Sequence, residues 1–413
     1  MRNRGASFVY ILLSGASSLF YSMLLTVELV YLIKLVGFDP LQLVLIGTIR
    51  QSVGFVFQVP TGILADMYSR RWAVILGLLL TGISYLVEGA FPMVAIVFAA
   101  QVSIGFGGTL MDGADAAWIA DEIGAERVGS IYLRAAQIGS LTSLLGIAIS
   151  AVLVNIRLNL PLVLGGSLFI VLSIFLVFVM SEHAFTSAPR ENRNTLQQVR
   201  HTLGVGVQLI RVRPVLLAIL GVAVFSGVFS AGFDQLWNYY LLHNFTFPAL
   251  GVLTSVTWFS VIEAGIVVTS FCGITIAKRL VDTNNRRTVV IAQLVMNSIT
   301  VASVIGFALA EQFALALFAF FLFTTARGPN SSLQQVWMNQ HLDSNVRATL
   351  FSLRGQVNAL AQIIGGPLLG LIATGINSRV AMVVAGIVLA PTLLLYAWSL
   401  RDSKVVVPMR ETL

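Results

Sequence analysis

Trp118-Ile-Ala-Asp-Glu122, followed by Leu133-Arg134-Ala-Ala-Gln137, returns as Trp337-Met-Asn-Gln-His341, followed by Leu353-Arg354-Gly-Gln356, displaced by 219 to 220 residues. Gly62 with Arg70-Arg71 is echoed, at a somewhat shorter displacement, by Gly273 with Arg286-Arg287. Around these markers run apolar stretches at 8–36, 41–66, 72–91, 93–119, 130–155 and 160–181, and again at 214–242, 249–280, 287–310, 312–340, 349–376 and 380–400. Each can supply the ~20 residues that carry a helix across a bilayer. Six fall in each copy of the repeat, which reads as two six-span units in the same orientation. The expectation is an all-α membrane protein of twelve transmembrane helices, with pseudo-symmetric six-helix bundles at 1–181 and 214–413 and a polar linker at 182–213. Within the linker, Thr195 to Ile210 is patterned as an amphipathic helix at the membrane surface.

Composition agrees. The 413 residues are 57% hydrophobic and 10% charged, where a soluble domain carries about 25% charged residues. If both termini are cytoplasmic, 20 of the 25 Lys and Arg collect on that side, and only Lys34, Arg157 and Arg379 face outward; Arg50 and Arg327 fall within spans. This is the positive-inside pattern. The net charge of +7 is therefore topological, and no nucleic-acid partner is implied. A single cysteine, Cys272, lies in an apolar run and excludes an intramolecular disulfide or a cysteine metal site. Met1-Arg-Asn-Arg4 imitates the start of a secretion signal, but the run from Phe8 to Val36 is too long and reads as the first permanent span.

Gly62-Ile-Leu-Ala-Asp66-Met-Tyr-Ser-Arg70-Arg71 resembles the signature that the major facilitator superfamily carries between spans 2 and 3. The resemblance implies a gating role for Asp66, Arg70 and Arg71, because in that family the acid and the first arginine join a cytoplasmic charge network across the two halves. A carboxylate can cap a helix N-terminus in one state and lose that partner in the other; a purely topological role for Arg70 and Arg71 is the alternative. Gly365-Gly366-Pro367-Leu-Leu-Gly370 resembles the antiporter motif of span 5, here in the pseudo-equivalent span 11. Span 4 offers Gln101 where the family has an arginine, and Gln58 stands where relatives carry an acid before Pro60-Thr-Gly62. The tract Asp112-Gly-Ala-Asp115-Ala-Ala-Trp118-Ile-Ala-Asp121-Glu122 is similar to bacterial drug:proton antiporters of the tetracycline- and macrolide-efflux type. That resemblance implies a monomer in the bacterial cytoplasmic (inner) membrane.

Charges inside the membrane single out the candidate site. Each acid at mid-bilayer costs about 2.5 to 3.5 kcal/mol, so Glu28, Asp112, Asp115, Asp234 and Glu263 must face the protein interior. In the superfamily, spans 1, 4, 7 and 10 line the central cavity, and four of these acids plus Arg327 fall on those spans. A buried carboxylate favours its neutral form, so an acid alternately wetted and dried can carry a proton across. Glu28 is the first candidate for that task, Asp234 the second and Asp112 the third. The alternative is structural pairing, with Arg50 on Asp112 or Asp115 and Arg327 on another acid.

Phe20 and Tyr21 in span 1, and Phe229, Phe233, Trp237, Tyr239 and Tyr240 in span 7, can stack on flat or cationic ligands. Phe20, Tyr21, Asp115, Phe233, Trp237 and Arg327 form the expected substrate set, with no catalytic or metal residues. Gly105, Gly107 and Gly108 read as close helix contacts. No phosphate-binding loop, zinc-ligand spacing or nucleophile elbow is present, so neither an enzyme nor a cofactor is expected. The function expected is secondary transport by alternating access, exporting lipophilic or cationic drugs in exchange for protons. The alternatives are proton-coupled uptake of a small organic anion clamped by Arg50 and Arg327, and a non-transporting receptor. An excess of acids over arginines in the cavity favours the cation.

Overall fold

The computed structural model describes residues 2–185, 215–248, 254–341 and 344–402, and among them secondary structure is entirely helical. The first half contains α1 (Arg2–Tyr31, continued by a π-helical turn Leu32–Val36), α2 (Pro40–Met67), α3 (Arg70–Ala90), α4 (Val94–Met111), α5 (Ala114–Ile123), α6 (Ala125–Leu153) and α7 (Leu160–Val179). The second contains α8 (Val215–Asn244), α9 (Ser255–Leu280), α10 (Arg286–Leu309), α11 (Phe313–His341), α12 (Ser344–Gly375), α13 (Ser378–Leu389) and α14 (Pro391–Asp402). Span 4 is α4 with α5, and span 12 is α13 with α14. Eleven segments among the described residues are long and apolar enough to cross a membrane. The tenth expected span is α11, whose second half carries Arg327, Asn330, Gln334 and Gln335. The stretch 195–210 lies outside the described residues.

Local sequence sets the helix ends. Asp39 begins α2 with a capping box: its Oδ1 accepts from the Gln42 backbone N–H at 2.8 Å, and the Gln42 side chain accepts from the Asp39 N–H at 3.0 Å. Ser69, Asn285 and Asn377 cap α3, α10 and α13 with their side chains. Span 4 breaks where the sequence reading runs one helix through: Gly113, at φ +79°, separates α4 from α5. Only glycine adopts that left-handed turn without strain.

Two compact units result, Met1–Thr195 with Asn238–Ala264 and Leu196–Trp237 with Gly265–Leu413. The division runs through α8 and α9 as well as the linker. Inside the first unit, Lys34 Nζ donates to Ser255 Oγ at 2.6 Å, and Thr257 Oγ1 donates to Asn155 Oδ1 at 3.2 Å. Its core packs α1 against α6 and α7, with α3 against α4 and α7. In the second unit α10 packs against α11, α13 and α14. Outside these cores, large apolar side chains such as Phe178, Phe271, Phe318 and Leu394 are 65–82% exposed, a surface suited to lipid rather than water.

The repeat is also structural. Trp118 and Trp337 are both fully buried, at 1% and 0% exposure. Trp118 donates its indole N–H to the Ser181 carbonyl at 2.7 Å, while the Trp337 ring lies 5.3 Å from that of Tyr396.

Candidate functional site

In the first unit a polar cluster joins four helices. Arg50 of α2 donates to Glu28 of α1 and, through Nε, to the Gln101 carbonyl oxygen of α4. It also reaches the Tyr85 hydroxyl of α3 at 3.3 Å. The Gln101 amide nitrogen donates to Glu28 Oε1 at 3.2 Å and to Glu88 Oε2 at 2.8 Å. Glu28, Glu88, Gln101 and Tyr85 are all buried. Gly105 lets α4 approach closely enough, since a Cβ there would stand 3.0 Å from Val53 and 3.3 Å from the Arg50 carbonyl oxygen. Gly107 plays the same role against α3, where a Cβ would meet the Gly77 carbonyl at 2.9 Å, but Gly108 has nothing within 4 Å and makes no such contact.

The pairing considered for Arg50 from sequence does not occur: its carboxylate partner is Glu28, not Asp112 or Asp115. Asp112 instead ends α4, exposed, and accepts from the Gln58 amide at 3.1 Å. Asp115 is half-buried in the first turn of α5, where its side chain accepts from the Ala116 backbone N–H at 2.7 Å. Arg50→Gln is therefore expected to leave Glu28 and Glu88 buried without a cation and to cost about 3–5 kcal/mol. The loss would be read as a fall in thermal unfolding midpoint in detergent, much of it recovered in Arg50→Gln/Glu28→Gln.

In the second unit, Asp234 of α8 and Arg327 of α11 face each other as a two-pronged ion pair, one prong being Arg327 Nη2 to Asp234 Oδ2 at 2.7 Å. Arg327 lies over the Phe229 and Phe323 rings, 5.9 and 5.5 Å from their centroids, within cation–π range. The pair borders a cavity of about 460 Å³, walled by Phe233, Trp237, Phe320 and Phe323 with Ser270, Thr324 and Ser331. Phe233 stacks on Phe229 at 5.1 Å, and Trp237 lies 4.8 Å from Phe320. Asp234 and Arg327 side chains remain 37% and 42% exposed, so a ligand in the cavity can reach both.

Four expected site residues, Phe233, Asp234, Trp237 and Arg327, thus line one cavity. Phe20 and Tyr21 sit elsewhere, edge-on to Phe169 of α7 at 5.2 and 4.8 Å in the first core. His243 stacks on Tyr239 at 3.8 Å near the end of α8.

A third cluster surrounds the start of α3. Arg70 pairs with Asp66, Nη2 to Oδ1 at 2.9 Å, and with Asp121 of α5. Arg71 donates to the Val177 carbonyl at 2.5 Å. Glu182 accepts from the backbone N–H groups of Arg70 and Arg71 at 2.8 and 3.1 Å and from the Ser69 hydroxyl. A carboxylate at that helix end meets orphan donors and the positive end of the helix dipole. Glu182→Ala should cost about 0.5–2 kcal/mol, as loss of a cap does, seen as a lower unfolding midpoint. Sequence reasoning missed Glu182, Glu88, Gln101, Tyr85 and this role of Asp121. For Glu88 the signal was present, an acid inside the apolar run 72–91.

Among solved structures, the nucleoside transporter NupG aligns over 96% of this chain and 98% of its own, with TM-score 0.72 at 13% identity. A peptide transporter POT in complex with sulfate aligns over 97% and 95%, with TM-score 0.74 at 13% identity. A bacterial homolog to the human lysosomal transporter Spinster, in an inward-facing and unoccupied conformation, aligns over 97% of each chain, with TM-score 0.71 at 12% identity. These likenesses establish the fold. Among curated proteins, the uncharacterized MFS-type transporter YxaM of Bacillus subtilis (strain 168) is 21% identical over 374 residues, 87% of each chain. The model of the Major Facilitator Superfamily matches residues 8–366, and with the repeated bundles and their polar interiors the chain belongs to that family, a multi-pass membrane transporter.

Proposed function

We propose that the chain is a proton-coupled exporter of lipophilic cations in a bacterial inner membrane, with both termini cytoplasmic. The observation that carries this reading is the aromatic-walled cavity bordered by the Asp234–Arg327 pair. A flat cationic ligand stacks on Phe233, Trp237, Phe320 and Phe323 and competes with Arg327 for Asp234. Arg50 and Arg327, the two arginines of these clusters, are already matched by carboxylates, which supports a cation over an anion. The buried cluster around Glu28, together with Asp234 and with Asp112 at the break of span 4, supplies the proton-coupling acids of this reading. Phe20 and Tyr21, packed on Phe169 in the first core, and Asp115 at the start of α5 take no part in this cavity, and Asp66, Arg70 and Arg71 form a gate of this reading. One proton crossing 100 mV supplies about 2.3 kcal/mol, enough for a modest export gradient.

One observation favours a second reading. The Arg327 fork holds a carboxylate in two-pronged geometry, and a ligand carboxylate replacing Asp234 would suit uptake of an organic anion. Equilibrium dialysis of the purified protein with three ligands on one aromatic scaffold, bearing a quaternary ammonium, no charge or a carboxylate, separates the two. The cation should bind about tenfold more tightly than the neutral ligand, a 1.4 kcal/mol preference. Tightest binding of the carboxylate would overturn export and promote uptake.

A further inference from the structure

Two carboxyl groups in the first unit face one cation. Glu28 and Glu88 are 3% and 0% exposed, and the one guanidinium in hydrogen-bond reach of either is Arg50, among the described residues. Were both ionised, a net negative charge would be buried with nothing to offset it, and proteins resolve such a conflict by protonating one member.

The hydrogen bonds decide which. Glu28 accepts from Arg50 and from Gln101, as a charged carboxylate should. Glu88 accepts only at Oε2, from Gln101, while its Oε1 is buried without a partner. A neutral hydroxyl without a partner is far cheaper to bury than a charged oxygen without one. Gln101 fits this split, since its two amide hydrogens serve the two carboxyls and its oxygen takes the Arg50 Nε–H.

Among the described residues, no hydrogen bond or ion pair brings another charge to the pair. From α1 come Glu28, the Tyr21 phenol near Arg50 and Tyr85, and the Tyr31 hydroxyl, which donates to the Glu88 backbone carbonyl at 2.6 Å; from α2, Arg50; from α3 itself, Tyr85. Helix α7 has no titratable residue. Asp115, Asp121 and Glu122 of α5 lie toward the opposite end of α3, where Asp121 meets Arg70.

We propose that Glu28 and Glu88 form a one-proton pair, in which Glu88 holds the proton and Glu28 stays charged against Arg50. This deepens the proton-coupled reading above and rests on it for its role in transport. When the site is wetted, the Glu88 O–H passes its proton to water and leaves two carboxylates sharing one guanidinium. Taking a proton from the opposite side restores the pair.

The test is infrared spectroscopy of the purified full-length protein at neutral pH, read at the C=O stretch of protonated carboxyls. A band that shifts in Glu88→Asp and not in Glu28→Asp is expected; a band that shifts only in Glu28→Asp, or no band traceable to either, overturns the assignment. In Glu28→Gln, Arg50 is released to Glu88, so the band should vanish there too, and its persistence would count against shared charge. In proteoliposomes, the ratio of gradient-driven cation accumulation to cation exchange should collapse in Glu88→Gln, and an unchanged ratio would contradict a coupling role. If wild type moves no protons at all, the export reading fails, while the infrared band still decides where the proton rests.

Discussion

Asp234→Ala should abolish transport and destabilise the second unit by about 1.5–3 kcal/mol, the range for losing a hydrogen bond to a charged group. A fully buried pair would cost more, but the cavity admits water to both partners, which are 37% and 42% exposed. Without Asp234, Arg327 keeps, among the described residues, the Phe229 and Phe323 rings at 5.9 and 5.5 Å, a weaker attraction for a guanidinium. The double variant Asp234→Asn/Arg327→Gln separates stability from function. It should recover most of the unfolding midpoint, because no unmatched charge remains, and still fail to move a cation. Recovery of cation transport in that variant would show the pair to be merely structural.

Gly273→Ala should be as damaging from the opposite cause. A Cβ at Gly273 would stand 2.0 Å from the Thr325 carbonyl oxygen and 2.9 Å from its carbon. Both are backbone atoms, so α9 and α11 would have to part along their contact. Overpacking of this kind costs about 1–3 kcal/mol, measured as the unfolding midpoint in detergent and as membrane yield. The repeat counterpart Gly62 has nothing within 4 Å of such a Cβ. Gly62→Ala should instead gain about 0.5–1 kcal/mol, as glycine-to-alanine exchange inside a helix does. Equal effects at the two positions would refute the helix-contact explanation.

That contrast marks what one sequence reveals. Apolar runs and positive loops placed the spans, since each needs only local composition, and the Trp118 and Trp337 repeat marks positions buried in both halves. The span 7 aromatics and Asp234 were legible because Phe229, Phe233 and Trp237 recur at helical spacing on one helix. Gly62 and Gly273 read alike, but only the tertiary approach of α11 makes one indispensable.

Partners across helices were less legible. Whether Arg50 meets Glu28, Asp112 or Asp115 depends on the rotation and depth of three helices, and periodicity fixes neither. Glu88 is an acid inside an apolar run but close to its end, so composition does not separate an internal from an interfacial position; burial against α1 and α4 makes it internal. Gln101 reads as a missing arginine, whereas in space it is the hub that Arg50 reaches from the neighbouring helix. The break of span 4 is carried by Gly113 alone, and a glycine in an apolar run signals close packing as readily as a turn.

Exchange of protons for a lipophilic cation can be read as proton movement in proteoliposomes. An internal pH dye would report on addition of a permanently charged quaternary aromatic cation, which carries no proton of its own across the bilayer. The added cation should drive protons out and turn the interior alkaline, with the response lost in Asp234→Ala. A silent interior with the cation, or acidification evoked by an aromatic carboxylate instead, would contradict that exchange.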